Sequence, residues 1–178
     1  MVSDIIAIDN QGRGFNNALE EAGRVAAYAG LDSKKTMRLN LLTHEMLSLA
    51  RCITGELQAN FWIEKAEEQF SLHMTTETVM DAEKRDMLIS TTSTRKNEAA
   101  KGMLGWLRDK VERMMVAQVD HSEEEVPYDL MSDVANSVFE EPEWDGYERS
   151  VLLKLADDVK IGIRGKEVDI VVTKRFDA

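Results

Sequence analysis

The chain has 178 residues, with 33 acidic and 22 basic side chains and a formal net charge of −11. That length suits a single domain burying roughly 70% of the surface its unfolded form would expose. A lone cysteine, Cys52, excludes an intramolecular disulfide, and the acidic balance argues against nucleic acid, because the one basic cluster, Thr94-Arg95-Lys96 leading to Lys101, is too small to track a duplex.

The N-terminus, MVSDIIAIDNQGRG, carries Asp4 and Asp9 where a secretory leader would be basic, and its apolar patch is shorter than a leader needs. No apolar run approaches the ~20 residues that cross a bilayer. The expectation is a cytoplasmic protein without a membrane partner. Asn16 to Ala29 places Leu19, Ala22, Ala26 and Ala29 at helical spacing and stops at Gly30. Asp32 and Ser33 then offer capping side chains to a second helix that runs to Thr54 and ends at Gly55. Its stripe is Leu39, Leu42, Met46, Leu49 or Ala50, and Ile53, the pattern of a helix packed on a sheet.

Beyond it the period changes to two. Phe61 and Ile63, then Phe70, Leu72 and Met74, alternate with polar residues around Lys65-Ala66-Glu67-Glu68, which predicts an antiparallel hairpin. A short helix is expected over Met80 to Ile89, a polar loop over Thr91 to Asn97, and a third long helix from Glu98 to about Val116. His121 to Gly146 is acidic and holds both prolines, Pro127 and Pro142. It reads as a loop or flap, because so few residues cannot form a core of their own. The chain closes with a helix over Tyr147 to Ala156 and a hairpin, Val159 to Ile163 and Val168 to Val172. The whole of residues 1–178 is expected to be one domain with an acidic insertion at about 118–146.

Two constellations have chemical content. Glu45 falls within the apolar arc of the second helix, between Leu49 and Cys52 and close to Leu41 and Leu42. A carboxylate there needs a partner, a cation or a polar cavity. Either it pairs with Arg38 or borders solvent, or it is a base or anchor facing a ligand cavity. The second is Thr91-Thr92-Ser93-Thr94-Arg95-Lys96-Asn97, which leads into a helix N-terminus, where free N–H groups favour an anion. Gly102 and Gly105 follow and would let a phosphate approach; the plainer reading makes Thr94 or Asn97 an N-cap and the glycines a packing notch. His44, His73 and His121 lie apart and give no zinc-type spacing. Nor is there a nucleophile–His–carboxylate pattern or a P-loop.

In order, these features are a helix with an inward Glu, a strand hairpin, a polar loop, a glycine-containing helix and terminal strands. That order resembles the GHKL superfamily, the ATP-binding domain of histidine kinases, gyrases and anti-sigma-factor serine kinases. The resemblance implies a two-layer α+β sandwich of the Bergerat type, with a mostly antiparallel mixed sheet and helices on one face. It covers about residues 16–116 and the terminal hairpin. It also implies roles: Glu45 as the catalytic base in LLTHEMLSLARCITG, Asp81 as the adenine-binding acid, Thr94, Lys96 and Asn97 in the ATP lid, and Lys101, Gly102 and Gly105 on the phosphates.

Three positions depart from the family pattern. Leu49 stands where an Asn would hold Mg²⁺, and Glu83 and Arg85 replace the two glycines of the adenine motif. A leucine cannot ligate a hard cation. The function expected is therefore a degenerate histidine-kinase-like domain of bacterial-type signalling. It would act as a regulatory or protein-binding module that retains a cavity for a nucleotide or small anion. The alternatives are an active ATP- and Mg²⁺-dependent serine kinase and a purely structural interaction protein whose acidic segment docks a basic surface. A homo-oligomer is compatible with each.

Overall fold

The computed structural model describes residues 1–53, 58–100 and 146–177. Strand β1 (Ile6–Asp9) opens the chain, followed by α1 (Phe15–Tyr28) and α2 (Ser33–Ile53). The hairpin β2 (Gln58–Ala66) and β3 (Gln69–Glu77) leads to α3 (Ala82–Thr91) and a single 3₁₀ turn (Glu98–Ala100). Helix α4 (Gly146–Leu155) and the hairpin β4 (Asp158–Arg164) and β5 (Glu167–Arg175) complete the described elements. The strands form one sheet in the order β1-β2-β3-β5-β4.

Every pairing among these strands is antiparallel, as is expected of most of the sheet, and no parallel pair of a mixed sheet occurs among the described residues. Residues aligned across it share a face. Phe61, Met74, Ile170 and Ile161 form one inner row, and Ile63, Leu72, Val172 and Val159 the next. All eight are buried against the helix layer. Each such side chain contributes about 1.5–3 kcal/mol relative to remaining exposed. Helix α1 packs over β2, α2 over β5 and α3 over β4, while α1 and α4 both flank α2. The result is an α+β two-layer arrangement.

Local chemistry sets the helix ends. After α1, Gly30 adopts φ +68° and lets Leu31 N–H reach back to the Ala26 carbonyl, closing the helix by a left-handed turn. Asp32 then caps α2, its carboxylate accepting from Lys35 N–H at 2.8 Å. Helix α3 begins two residues later than expected, because Asp81 is its cap rather than part of it. Of the helix expected over 98–116 only residues 98–100 are described, as the single 3₁₀ turn; the rest of that span lies outside the described residues, as does the acidic insertion up to residue 145. No helix among the described residues is long and apolar enough to cross a membrane.

Candidate functional site

Helix α2 buries a broad arc: Leu39, Leu42, Thr43, Met46, Leu47, Leu49 and Ala50 are all fully enclosed. Glu45 lies on one margin of that arc and is 8% exposed. Setting residues 100° apart places Leu49 and Leu42 beside it on the inner side and Leu41, 40% exposed, on the outer. The inward placement expected of Glu45 is therefore present. Its neighbour in the chain, His44, supplies the nearby partner, with Nδ1 3.6 Å from Glu45 Oε1. Arg38, the alternative partner, is exposed.

Leu49, one turn beyond Glu45, is 0% exposed and belongs to the hydrophobic core. The position that holds the metal in the GHKL pattern thus offers no oxygen and is enclosed in packed hydrocarbon. Among the described residues, no group of three or more His, Cys, Asp or Glu is placed to hold a metal.

Asp81 lies in extended backbone just before α3, and its carboxylate accepts from Lys84 N–H at 2.6 Å. The acid is exposed and works as a helix cap. The motif positions that follow are helical, with Glu83 turned to solvent and Arg85 3% exposed. A glycine-rich turn that would admit an adenine is replaced here by one turn of helix carrying two large side chains. Together with Leu49, these residues do not fit a Mg²⁺–nucleotide in the manner the resemblance implies.

The polar loop has donors, but several face inward. Thr92 is 2% exposed, with its hydroxyl donating to the Ile89 carbonyl at 2.8 Å and accepting from Lys96 N–H at 3.1 Å. Ser93 pairs with both backbone groups of Val159, and Asn97, 5% exposed, pairs with both of Ile163. Ser93, Thr94, Arg95 and Lys96 remain at the surface, Thr94 donating to Glu98 at 3.4 Å. Lys101, Gly102 and Gly105 lie outside the described residues. Glu45 is thus held by the α1–α2–α4 layer, and Asp81 and the loop by α3 and the β4 edge.

The opposite face of the sheet carries a pairing that the sequence did not reveal, between a histidine expected on the polar side of the hairpin and a tryptophan expected in a core or interface. Trp62 and His73 stack there with ring centroids 4.9 Å apart and planes within 7°, and Glu64 reaches both rings. Burial pushes the His73 imidazole below its ordinary pKa, and the Glu64 charge opposes that shift. Beside them Asn60, Thr75, Glu77, Arg164, Glu167 and Asp169 border an open hollow of about 510 Å³. It is polar, and Glu45 is not part of it. The alternation of β2 and β3 could have exposed this row, because Trp62 and His73 are both out of phase with the core residues. No protein-family model matches the chain, and no curated protein matches it.

Proposed function

We propose that the chain is a degenerate histidine-kinase-like domain, a protein-binding regulatory module rather than a working kinase. Its element order supports the reading: a strand, two helices of which the second carries an inward Glu, a hairpin, a short helix, and a terminal hairpin joining the same sheet. The observation that carries the second half is the complete burial of Leu49. Phosphoryl transfer depends on metal ions that bridge the phosphates and neutralise developing charge, and hydrocarbon at this position cannot hold one. A nucleotide or small anion bound without metal is compatible with this chemistry. The net charge of −11 favours a partner with a basic surface.

Isothermal titration of the protein and its Glu45→Gln variant with ATP and Mg²⁺ tests the reading, paired with an assay of phosphate release. The expected result is no turnover, and any heat of binding unaffected by removing Mg²⁺. Tight, Mg²⁺-dependent binding with turnover that Glu45→Gln abolishes would restore the active kinase.

A further inference from the structure

Among the described strands β4 ends the sheet, and an exposed edge strand presents backbone groups that any other strand can pair with. Backbone polarity alternates along a strand, so Val159, Ile161 and Ile163 direct their N–H and C=O groups away from β5. Among the described residues, no strand covers Val159 or Ile163. Instead, Ser93 N–H donates to the Val159 carbonyl at 2.9 Å and Val159 N–H donates to Ser93 Oγ at 2.8 Å. Four residues on, Asn97 Nδ2 donates to the Ile163 carbonyl at 3.0 Å and Ile163 N–H donates to Asn97 Oδ1 at 2.8 Å. The spacing of four on the loop matches the spacing of four on the strand.

The contact is anchored at both ends. Buried Thr92 ties the loop to the end of α3 through Ile89 and to Lys96 N–H. Beyond Asn97, the Ala99 N–H also donates to Asn97 Oδ1, and Ala99 packs on Gly162, its Cβ 3.7 Å from where a Gly162 Cβ would lie. The 93–97 segment thus reproduces strand pairing at two points with one serine and one asparagine, without being a strand.

The strand beneath it, Asp158-Val-Lys-Ile-Gly-Ile-Arg164, is self-complementary about Ile161. Set antiparallel to a second β4 with Ile161 opposite Ile161, it places Val159 opposite Ile163, Lys160 opposite Gly162, and Asp158 opposite Arg164. The three outward-facing residues then meet one another in register, each exchanging both backbone groups. Opposite charges directly across a strand pair are favourable, and here they occur at both ends. Within one chain Asp158 pairs with its neighbour Lys160 at 3.0 Å, and Arg164 reaches Asp169 only at 3.9 Å.

We propose that residues 93–97 are a strap that closes the β4 edge, and that the surface it covers is fitted to the β4 strand of a second copy of this chain. The strap keeps that pairing from forming; withdrawing it converts a closed edge into a dimer surface. The inference is independent of the kinase-like reading, since it depends only on the edge, the strap and the strand sequence.

The test uses the full chain carrying Ser93→Ala and Asn97→Ala together. Light scattering and sedimentation velocity over a concentration series give the mass, and hydrogen exchange gives protection at the Val159 and Ile163 amides. The expected result is a mass that doubles with concentration relative to wild type. At low concentration the two amides should exchange about tenfold faster, as expected when a local closing interaction is lost. Adding Arg164→Asp should abolish the doubling, because two acids then face each other at each end, and the swap Asp158→Arg with Arg164→Asp should restore it. A folded double variant that keeps the wild-type mass and exchange overturns the proposal. Doubling that ignores Arg164→Asp overturns the β4–β4 register, as does an increase in mass only on adding an unrelated extended peptide. Should the double variant not fold by circular dichroism, Asn97→Ala alone is read by the same measurements and the same outcomes.

Discussion

Replacing Leu49 with Asn restores the oxygen that the GHKL pattern calls for, and places it where the structure has only packed side chains. Leu49 is 0% exposed. Truncating a buried leucine removes transfer energy and leaves a partial cavity, together about 2–5 kcal/mol. The buried amide adds a desolvation cost of about 1–3 kcal/mol if it finds no partner. The expected loss is therefore on the order of 3–8 kcal/mol, a large share of the roughly 5–15 kcal/mol that holds a domain folded. Urea unfolding should show a lower midpoint at unchanged slope, and Tm should fall by about 10 °C or more. Leu49→Met, which keeps the apolar volume, should lose less than about 1.5 kcal/mol. If Leu49→Asn loses under about 1 kcal/mol, position 49 faces water rather than core. Exclusion of a metal at this position, and with it of the kinase, then fails. A stable Leu49→Asn variant that also acquires Mg²⁺-dependent ATP binding would show that the cavity had persisted around a single missing ligand.

Two further perturbations test how local geometry holds the frame around α2. Gly14 precedes α1 at φ +80°, and a Cβ added there would run into the Ala7 carbonyl oxygen. Gly14→Ala should therefore cost at least about 2 kcal/mol in urea unfolding. Gly23, inside α1 with open space at its Cβ position, should gain up to about 1 kcal/mol as alanine; equal effects at the two sites would refute the account of both. His73 tests the outer face. Its folded pKa lies below the ordinary 6.5, first because of burial and despite Glu64, so the unfolded chain takes up the proton more readily. The stabilisation is complete above about pH 6.5 and is lost as pH falls from there through the depressed folded value. His73→Gln should flatten that part of the stability profile, and an unchanged profile would show that the imidazole titrates alike in both states.

Periodicity carried most of the fold. The stripe of α2 was legible because Leu39, Leu42 and Met46 recur at helical spacing, and both hairpins because their apolar residues alternate. Strand β1 was not foreseen. Its four residues, Ile6 to Asp9, are too few for a periodic signal, and they are fixed by pairing with β2, far along the chain. The turn that follows is held by the Asp9 carboxylate, which accepts from the Gln11 and Arg13 amides. The central junction, β3 against β5, is likewise non-local: alternation says that a strand has an inner face, but not which strand lies beside it. The loop over 91–97 was misleading in a different way. Its hydroxyls and amide are donors by composition, and composition does not reveal that Ser93 and Asn97 satisfy a sheet edge whose residues lie 66 positions further on.

The distribution of the polar groups bears on what kind of function the fold can support. Catalysis of phosphoryl transfer requires base, metal and phosphate donors to converge on one reacting group, with geometry held to about an ångström. Here the described candidates diverge. Glu45 sits at the margin of the α2 arc beside His44, Asp81 caps α3, and Asn97 is bonded to β4. The open polar hollow lies on the other face of the sheet. Each group is satisfied or held by its own element, so bringing them onto one ligand would require breaking caps and edge contacts that the fold now uses for stability. Recognition of a protein surface makes no such demand, because its contacts can be spread over separate elements and need only match a partner in shape and charge. Glu45 is the one feature that resists this reading. A carboxylate that is 8% exposed needs a polar partner, and His44 lies 3.6 Å from it at the edge of the arc. That makes the margin of α2 the place where any surviving affinity for a small ligand should first be sought.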